Sequence, residues 1–332
     1  MRIFVTGATG FIGSHLVRRL QGSPHQLRCL VRSTSNTRPL QEAGLELFDG
    51  DIADRASLVE GMKDCDAVIN LANLFEFWIP DRHRFTCVNV EGTRGLMETA
   101  LDAGVRKVVH VSTVAIFGNA EWPVTEASLP GQRCASEYAR TKRAGDDLAW
   151  DLYRTRRLPL VVVYPACVLG SGNTKAGGRY LCNLVRGALP AQVFTGHPFP
   201  FVHVRDVAEA LVRVLEKDNN LGEKYLVSAE NLTFGEINRM VSEIAGVRLP
   251  RFVMPDAAAL ANAYILTGLS RITRKPPLWD LSLDQALIMK QGMQVDGGKA
   301  ARELGLAYTP IRQAVEEEVA LAVAAQARPS AA

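Results

Sequence analysis

Tyr138 and Lys142 stand four residues apart in the run SEYARTK, and the chain opens with TGATGFIG. On a helix, residues at i and i+4 are surface neighbours, so this spacing puts a phenol and an ammonium on one face. A nearby positive charge favours the phenolate, and the pairing therefore predicts a Tyr138 pKa lowered by Lys142. A phenol tuned in this way is a suitable proton donor to a carbonyl oxygen. With the opening run as a phosphate-cradling turn, the two pieces point to hydride transfer coupled to proton transfer.

Gly7, Gly10 and Gly13 form G-x-x-G-x-x-G directly after a strand-like run, Ile3–Thr6, and open a helical pattern. Glycine allows a tight turn and close backbone approach, and a helix N-terminus offers unpaired N–H groups to a pyrophosphate. Thr9, Phe11 and Ile12 lie inside the same turn and are taken as cofactor contacts with it. The second strand ends in CLVRSTSNTR, with no acid where an NAD site holds the ribose 2′-OH. Arg32 occupies that place, and an arginine suits a 2′-phosphate, so the expected cofactor is NADP, with NAD as the alternative. Asp51 would accept from the adenine amino group with Ile52 packing on the ring, or would cap the helix before Arg55. At the end of the fourth strand the small run Leu71-Ala72-Asn73 would let a cofactor lie across the strand end. Lys142 would both tune Tyr138 and bind nicotinamide-ribose hydroxyls. The strand Lys107–Val111 ends in Ser112-Thr113, and alternation points Ser112 away from the side that Thr113 faces. Thr113 is thus expected to bind the oxygen that Tyr138 protonates.

These residues, with DGDIAD, INLAN, VNVEGTRGLMETA, YPACVLGSG, FVHVRDVAEA and a late ARELGLAYTP, give the chain a resemblance to the extended short-chain dehydrogenases/reductases. That superfamily holds nucleotide-sugar epimerases, dihydroflavonol reductases and 3β-hydroxysteroid dehydrogenases, and the likeness runs over nearly the whole length. It implies a catalytic set of Thr113, Tyr138 and Lys142. It further implies a supporting helix asparagine at Asn89, counted with the cofactor site, and nicotinamide contacts from Pro165 and Val168. Val114-Ala115 stand where sugar dehydratases carry Asp-Glu, which disfavours elimination of water. Asn70 and Asn73 replace the more usual His and Ala. Tyr164 stands where many sugar epimerases have Arg, which weakens a diphosphate-linked sugar as substrate. The motifs look closest to the dihydroflavonol reductase-like and hopanoid-associated epimerase-like branches.

The elements that must position these groups alternate in texture. Short β-branched runs at Ile3–Thr6, Leu27–Val31, Leu45–Phe48, Ala67–Asn70, Lys107–Val111 and Leu160–Val163 are separated by helix-period segments at 12–21, 55–63, 83–103 and 137–155. Near-continuously apolar strands alternating with helices predict an α/β fold: a doubly wound parallel (Rossmann) sheet. A smaller, mostly helical C-terminal substrate domain would follow. The expected division is 1–165 for dinucleotide binding and 166–332 for substrate, with segments such as 201–217 returning to the first unit. Gly and Pro punctuate 165–200, which reads as loops around one helix near 176–187. Asp206 is expected to cap the next helix, a strand follows near Glu223–Val227, and Thr233 with Glu236 forms a capping box. Phe75, Phe77, Trp78 and Ile79 would wall the substrate side, or form a packed lid. His203 is read as a structural hydrogen-bonding residue, and His197 as a residue that could reach substrate.

At 332 residues, 47% hydrophobic and 22% charged, the chain is long enough for such a fold and ordinary for a soluble enzyme. A net charge of +3 argues for neither nucleic acid nor a membrane surface as partner. Yet no acid precedes Glu42, while six arginines fall before it, and an anionic cofactor favours such a stretch. For Arg18 and Arg19 a solvated helix face is the simpler reading. Six scattered cysteines without C-x-x-C predict no zinc site and no disulfide framework. No apolar stretch approaches a bilayer span, and a strand-like start leaves no room for a signal peptide, so a cytoplasmic location is expected. The leading expectation is an NADP-dependent oxidoreductase acting on a small-molecule ketone, aldehyde or alcohol. The alternatives are an NAD-dependent nucleotide-sugar epimerase and a catalytically idle dinucleotide-binding regulatory protein. Resemblance also suggests a homodimer through helices 83–103 and 137–155.

Overall fold

Strand β1 (Arg2–Thr6) runs through the glycine turn into helix α1 (Phe11–Leu20). The chain continues as β2 (Gln26–Val31), a short α2 (Arg38–Glu42), β3 (Glu46–Asp49), α3 (Arg55–Gly61) and β4 (Ala67–Asn70). Helix α4 (His83–Thr86) passes through a π-helical segment, Cys87–Gly92, into α5 (Thr93–Asp102). After β5 (Lys107–Val111) come a 3₁₀ turn, Val114–Phe117, the long α6 (Glu137–Arg156) and β6 (Leu160–Pro165). The computed structural model describes residues 1–327, and the tail ARPSAA, which the sequence alone marks as a segment that frays, lies outside them after its first residue, Ala327.

These strands build a seven-stranded sheet of order β3-β2-β1-β4-β5-β6-β9, whose last member is β9 (Lys224–Val227). Every pairing in it is parallel. Helices cover both faces, so the strands are apolar on both sides: all of β4 and all of β6 are buried. The chain winds outward through β2 and β3, then returns to place β4 beside β1. This reversal opens a crevice at the carboxyl ends of those two strands. A buried polar row lies beneath it. Thr6, Asn70 and His110 occupy matching positions on β1, β4 and β5. The Thr6 hydroxyl donates to Asn70 Oδ1 at 2.7 Å, and Asn70 Nδ2 donates to His110 Nδ1 at 3.2 Å. Thr6 Oγ1 in turn accepts from the Ala72 amide at 3.1 Å, which ties the end of β4 to the glycine turn. The unusual Asn70 is thus a cross-strand tie.

Beyond β6 the structure departs from the expectation of loops around one helix. A second sheet of order β10-β8-β7 is made from β7 (Cys167–Leu169), β8 (Pro198–His203) and β10 (Glu230–Thr233). Helix α7 (Ala176–Val185) lies between β7 and β8, at the place expected for it. Three residues of β7, and prolines at 198 and 200, carry almost no local strand signal. The pairings that make them strands, β8 with β7 and with β10, are long-range. Helix α8 (Val204–Glu216) packs on α1, and its N-cap is His203, whose side chain accepts from the Arg205 amide. Asp206, expected as the cap, sits in the first turn and instead accepts from the Thr309 amide and hydroxyl, each at 2.8 Å. The Thr233–Glu236 capping box forms as expected at the start of α9 (Phe234–Ala245). Helices α10 (Asp256–Thr273), α11 (Leu283–Gln291), α12 (Gly298–Leu304) and α13 (Ile311–Ala327) complete the chain, with α13 packed on α7 and α9.

Candidate active site

The glycine turn is shaped by close approach. Gly7 has φ +73°, and a Cβ there would lie 2.8 Å from the Leu71 carbonyl carbon and the Ala72 nitrogen. A Cβ on Gly13 would lie 2.2 Å from the Gly7 oxygen. Helix α1 therefore starts hard against the ends of β1 and β4. Gly10 offers its N-terminus no side-chain cap, and its first turn holds no acid. Free N–H groups and the positive end of the helix dipole are left for an anion.

The turn forms one wall of a cavity of about 770 Å³. Thr9, Gly10, Phe11, Ile12 and Gly13 line it with Gly7; Arg32 joins from the end of β2, and Asp51 and Ile52 from the end of β3. Leu71, Ala72 and Asn73 line it after β4, Thr113 after β5, and Pro165 and Val168 after β6. The arginine-rich opening divides by partner. Arg2 and Arg28 pair with Glu46, Arg19 with Glu209 and Arg38 with Glu42, while Arg32 remains on the cavity wall. Asp51 accepts from the Ala53 amide at 2.9 Å, and the cap of α3 is Asp54. A cradle that only glycine fits, a bare helix N-terminus and Arg32 on the cavity wall suit a phosphate-bearing dinucleotide. Asn89 and Lys142 do not line the cavity. Asn89 lies in the π-helical segment, where an irregular turn commonly accompanies a functional site. Its side chain accepts from the Leu74 amide at 2.8 Å and donates to the Leu74 oxygen at 3.2 Å and to Thr141 Oγ1 at 3.1 Å. It pins the loop after β4 to the turn of α6 that carries Lys142.

Tyr138 stands near the start of α6, capped by Ser136, and its ring lies edge-on to Phe75 with centroids 4.8 Å apart. It lines the cavity beside Thr113, but its proton affinity contradicts the sequence expectation. Burial pushes the phenol above its ordinary value, and a hydrogen bond from the Thr113 hydroxyl opposes this only in part. The ammonium of Lys142 is spent elsewhere: it donates to the Val111 carbonyl at 2.8 Å, under the cavity wall. Burial depresses Lys142 to about 8, partly offset by Asp146 one turn along the helix. Burial also raises Asp146 to about 6. Its Oδ2 accepts from the Tyr164 hydroxyl at 3.0 Å, and that hydroxyl accepts from Trp150 Nε1 at 2.9 Å. Tyr164 is 1% exposed and does not line the cavity. The side chain serves the core and brings no cation to the cavity.

Phe75 and Phe77 line the cavity, whereas Trp78 and Ile79 do not. Between the two phenylalanines, Glu76 pairs with Lys175 at 2.8 Å and with Arg179 at 3.4 Å, strapping this loop to α7. The rest of the far wall escaped the sequence reading: Tyr180, Phe199, Phe234, Ile288, Met289 and Met293, with Arg84 and Gln285 among the polar groups. They come from α4, α7, β8, α9 and α11 and the segment after it, so no single motif could announce them. His197 does not reach the cavity; it pairs with Asp256 at 2.7 Å. His203 is fully buried as a helix cap, in keeping with its structural reading.

A family model described as "NAD dependent epimerase/dehydratase family" matches residues 3–228. The chain is similar to "Sterol demethylase protein B" of Methylococcus capsulatus, at 32% identity over 96% of this chain and 98% of that protein. It is similar to a "Putative dihydroflavonol 4-reductase" of Synechocystis, at 29% identity over 95% and 93%. Among solved structures, that of gox2253 superposes with a TM-score of 0.83 at 33% identity, covering 96% of each chain.

Proposed function

The chain belongs to the NAD dependent epimerase/dehydratase family, and from that premise we propose that it is an NADP-dependent oxidoreductase interconverting an apolar ketone or aldehyde and its alcohol. One observation carries the reading: a phenol kept neutral by burial lines the cavity beside a threonine hydroxyl and against Phe75, with the glycine cradle on the same cavity. A bound nicotinamide dinucleotide supplies or accepts the hydride. In the reduction, the Thr113 hydroxyl donates to the substrate oxygen and orients it. Tyr138 then gives that oxygen its proton as negative charge develops there. Donors fixed in place for that charge supply much of the rate. Lys142 holds the end of β5 through Val111 and lends its charge to the site from beneath. Arg32 takes the 2′-phosphate, Asp51 and Ile52 the adenine, and Pro165 and Val168 the nicotinamide end. Asn89 acts as a positioning residue. The apolar far wall, and the relative named for a sterol, support a hydrophobic substrate body.

Tyr138→Phe is expected to lower NADPH-dependent turnover on a carbonyl panel by about a thousandfold, in the range for a lost general acid. NADPH affinity, read by fluorescence titration, should hold. Undiminished turnover would refute the assignment. An epimerase, which the family also includes, would reveal itself by NAD retained through purification and no net NADPH consumption.

A further inference from the structure

Helix α10 is apolar on both of its faces. One side, including Ala259, Ala263 and Leu266, is buried against the protein. The other presents Ala261, Tyr264, Ile265, Leu269 and Ile272 to solvent, the last four at 53–82% exposure. An amphipathic surface helix turns charge outward, and a helix apolar all round is covered by something. The chain entering α10 also exposes Phe252 and Val253, and the chain leaving it exposes Leu278 and Trp279.

The charge around this face decides what covers it. Arg248 and Arg251 precede the helix, and Arg271, Arg274 and Lys275 end it. All five are exposed. Between 248 and 279 the sole acid is Asp256, already paired with His197. A second copy of this chain docking on the same face would set these cations against themselves. A bilayer carrying anionic headgroups would meet them with opposite charge, while aliphatic and aromatic side chains enter its interfacial zone.

We propose that α10 and its flanks are a peripheral docking surface for anionic phospholipid. This departs from the sequence expectation of no membrane partner. It is adhesion and not insertion, since no described helix is long and apolar enough to cross a membrane. The placement gives it a use. Leu266 of α10 shares a buried cluster with Met289 of α11, and Met289 lines the cavity, so the lipid-facing helix packs on an element of the cavity wall. An apolar compound dissolved in the bilayer would be drawn from it beside the cavity's apolar end.

The test is co-sedimentation of the full chain with vesicles, which needs no turnover and so stands apart from the redox assignment. Vesicles of equal parts phosphatidylcholine and phosphatidylglycerol should pellet the protein, and phosphatidylcholine alone should not. The double variant I265D/L269D should abolish binding. The triple variant R271Q/R274Q/K275Q should weaken it roughly a hundredfold, about fivefold per cation, and added salt should mimic that loss. Far-UV circular dichroism and the thermal midpoint check that each variant is folded; if the aspartates disturb folding, the glutamine variant alone decides. Failure to pellet with anionic vesicles overturns the proposal. So does binding that both variants leave unchanged, and so does a dimer in solution that I265D/L269D converts to monomer without vesicle binding.

Discussion

Burial sets the protonation of Tyr138, opposed only in part by the hydrogen bond with Thr113, and that inverts part of the sequence reading. An i+4 spacing is visible in a string of letters; desolvation is not, because it depends on Phe75 and on everything else packed around the ring. The titrating pair in this design is Lys142 and Asp146. With Lys142 depressed to about 8, kcat/KM should fall as pH rises past about 8 and the ammonium is lost. Asp146→Asn removes the charge that holds Lys142 up, so the alkaline limb of the pH–rate profile should move lower. The same substitution has a stability signature. A carboxyl raised to about 6 by burial stabilises the fold when protonated, and that contribution is lost as pH climbs from the ordinary carboxylate range through 6. Between about pH 4 and pH 7 the variant should therefore gain on the wild type by on the order of 2–3 kcal/mol, read from urea midpoints. At the other end of the cavity, Arg32→Ala should raise the KM for NADPH at least tenfold, the loss of one charge-assisted contact, and leave that for NADH nearly unchanged. Equal effects on both coenzymes would rule out a 2′-phosphate contact at this residue.

Single elements were legible where the pattern is local. Strands β4 and β5 begin and end where their apolar runs do, and the Thr233–Glu236 box is a four-residue code that the structure obeys. The start of α8 was misplaced because Asp206 has the side chain of a usual cap, yet it is turned to Thr309 while His203, three residues earlier, accepts from the Arg205 amide. The small sheet was illegible because its pairing partners lie far along the chain and its strands hold prolines and few β-branched residues. The turn from β1 into α1 is the element most sensitive to one atom. Gly13→Ala puts a methyl 2.2 Å from the Gly7 oxygen, so the helix must back away from the strand ends. NADPH affinity should drop by about two orders of magnitude while the far-UV spectrum changes little, since the strain is local. Retained affinity would mean that the cradle does not hold phosphate.

At the scale of the whole molecule, the glycine-turn side of the cavity was readable and the far side was not. The first is built from consecutive strand ends, each announced by its own run. The second is assembled from α4, α7, β8, α9, α11 and the segment after it, and its shape exists only once they meet. Asp206 is one of the joints that hold this assembly: through two 2.8 Å bonds it ties α8 to Thr309, just ahead of α13. Removing two charge-assisted bonds by Asp206→Ala should cost on the order of 3 kcal/mol in urea unfolding, with early proteolysis near residue 309. A variant as stable and as resistant as the wild type would show that the C-terminal helix is anchored by packing alone.

The seventh strand carries a consequence for synthesis. β9 is the edge partner of β6, whose every residue is buried, yet it lies nearly sixty residues further along the chain. A nascent chain emerging from the ribosome holds six strands with a bare, wholly apolar border until residue 227 clears the exit tunnel. Any truncation between β6 and β9 makes that interval permanent, and its product should be recovered as aggregate.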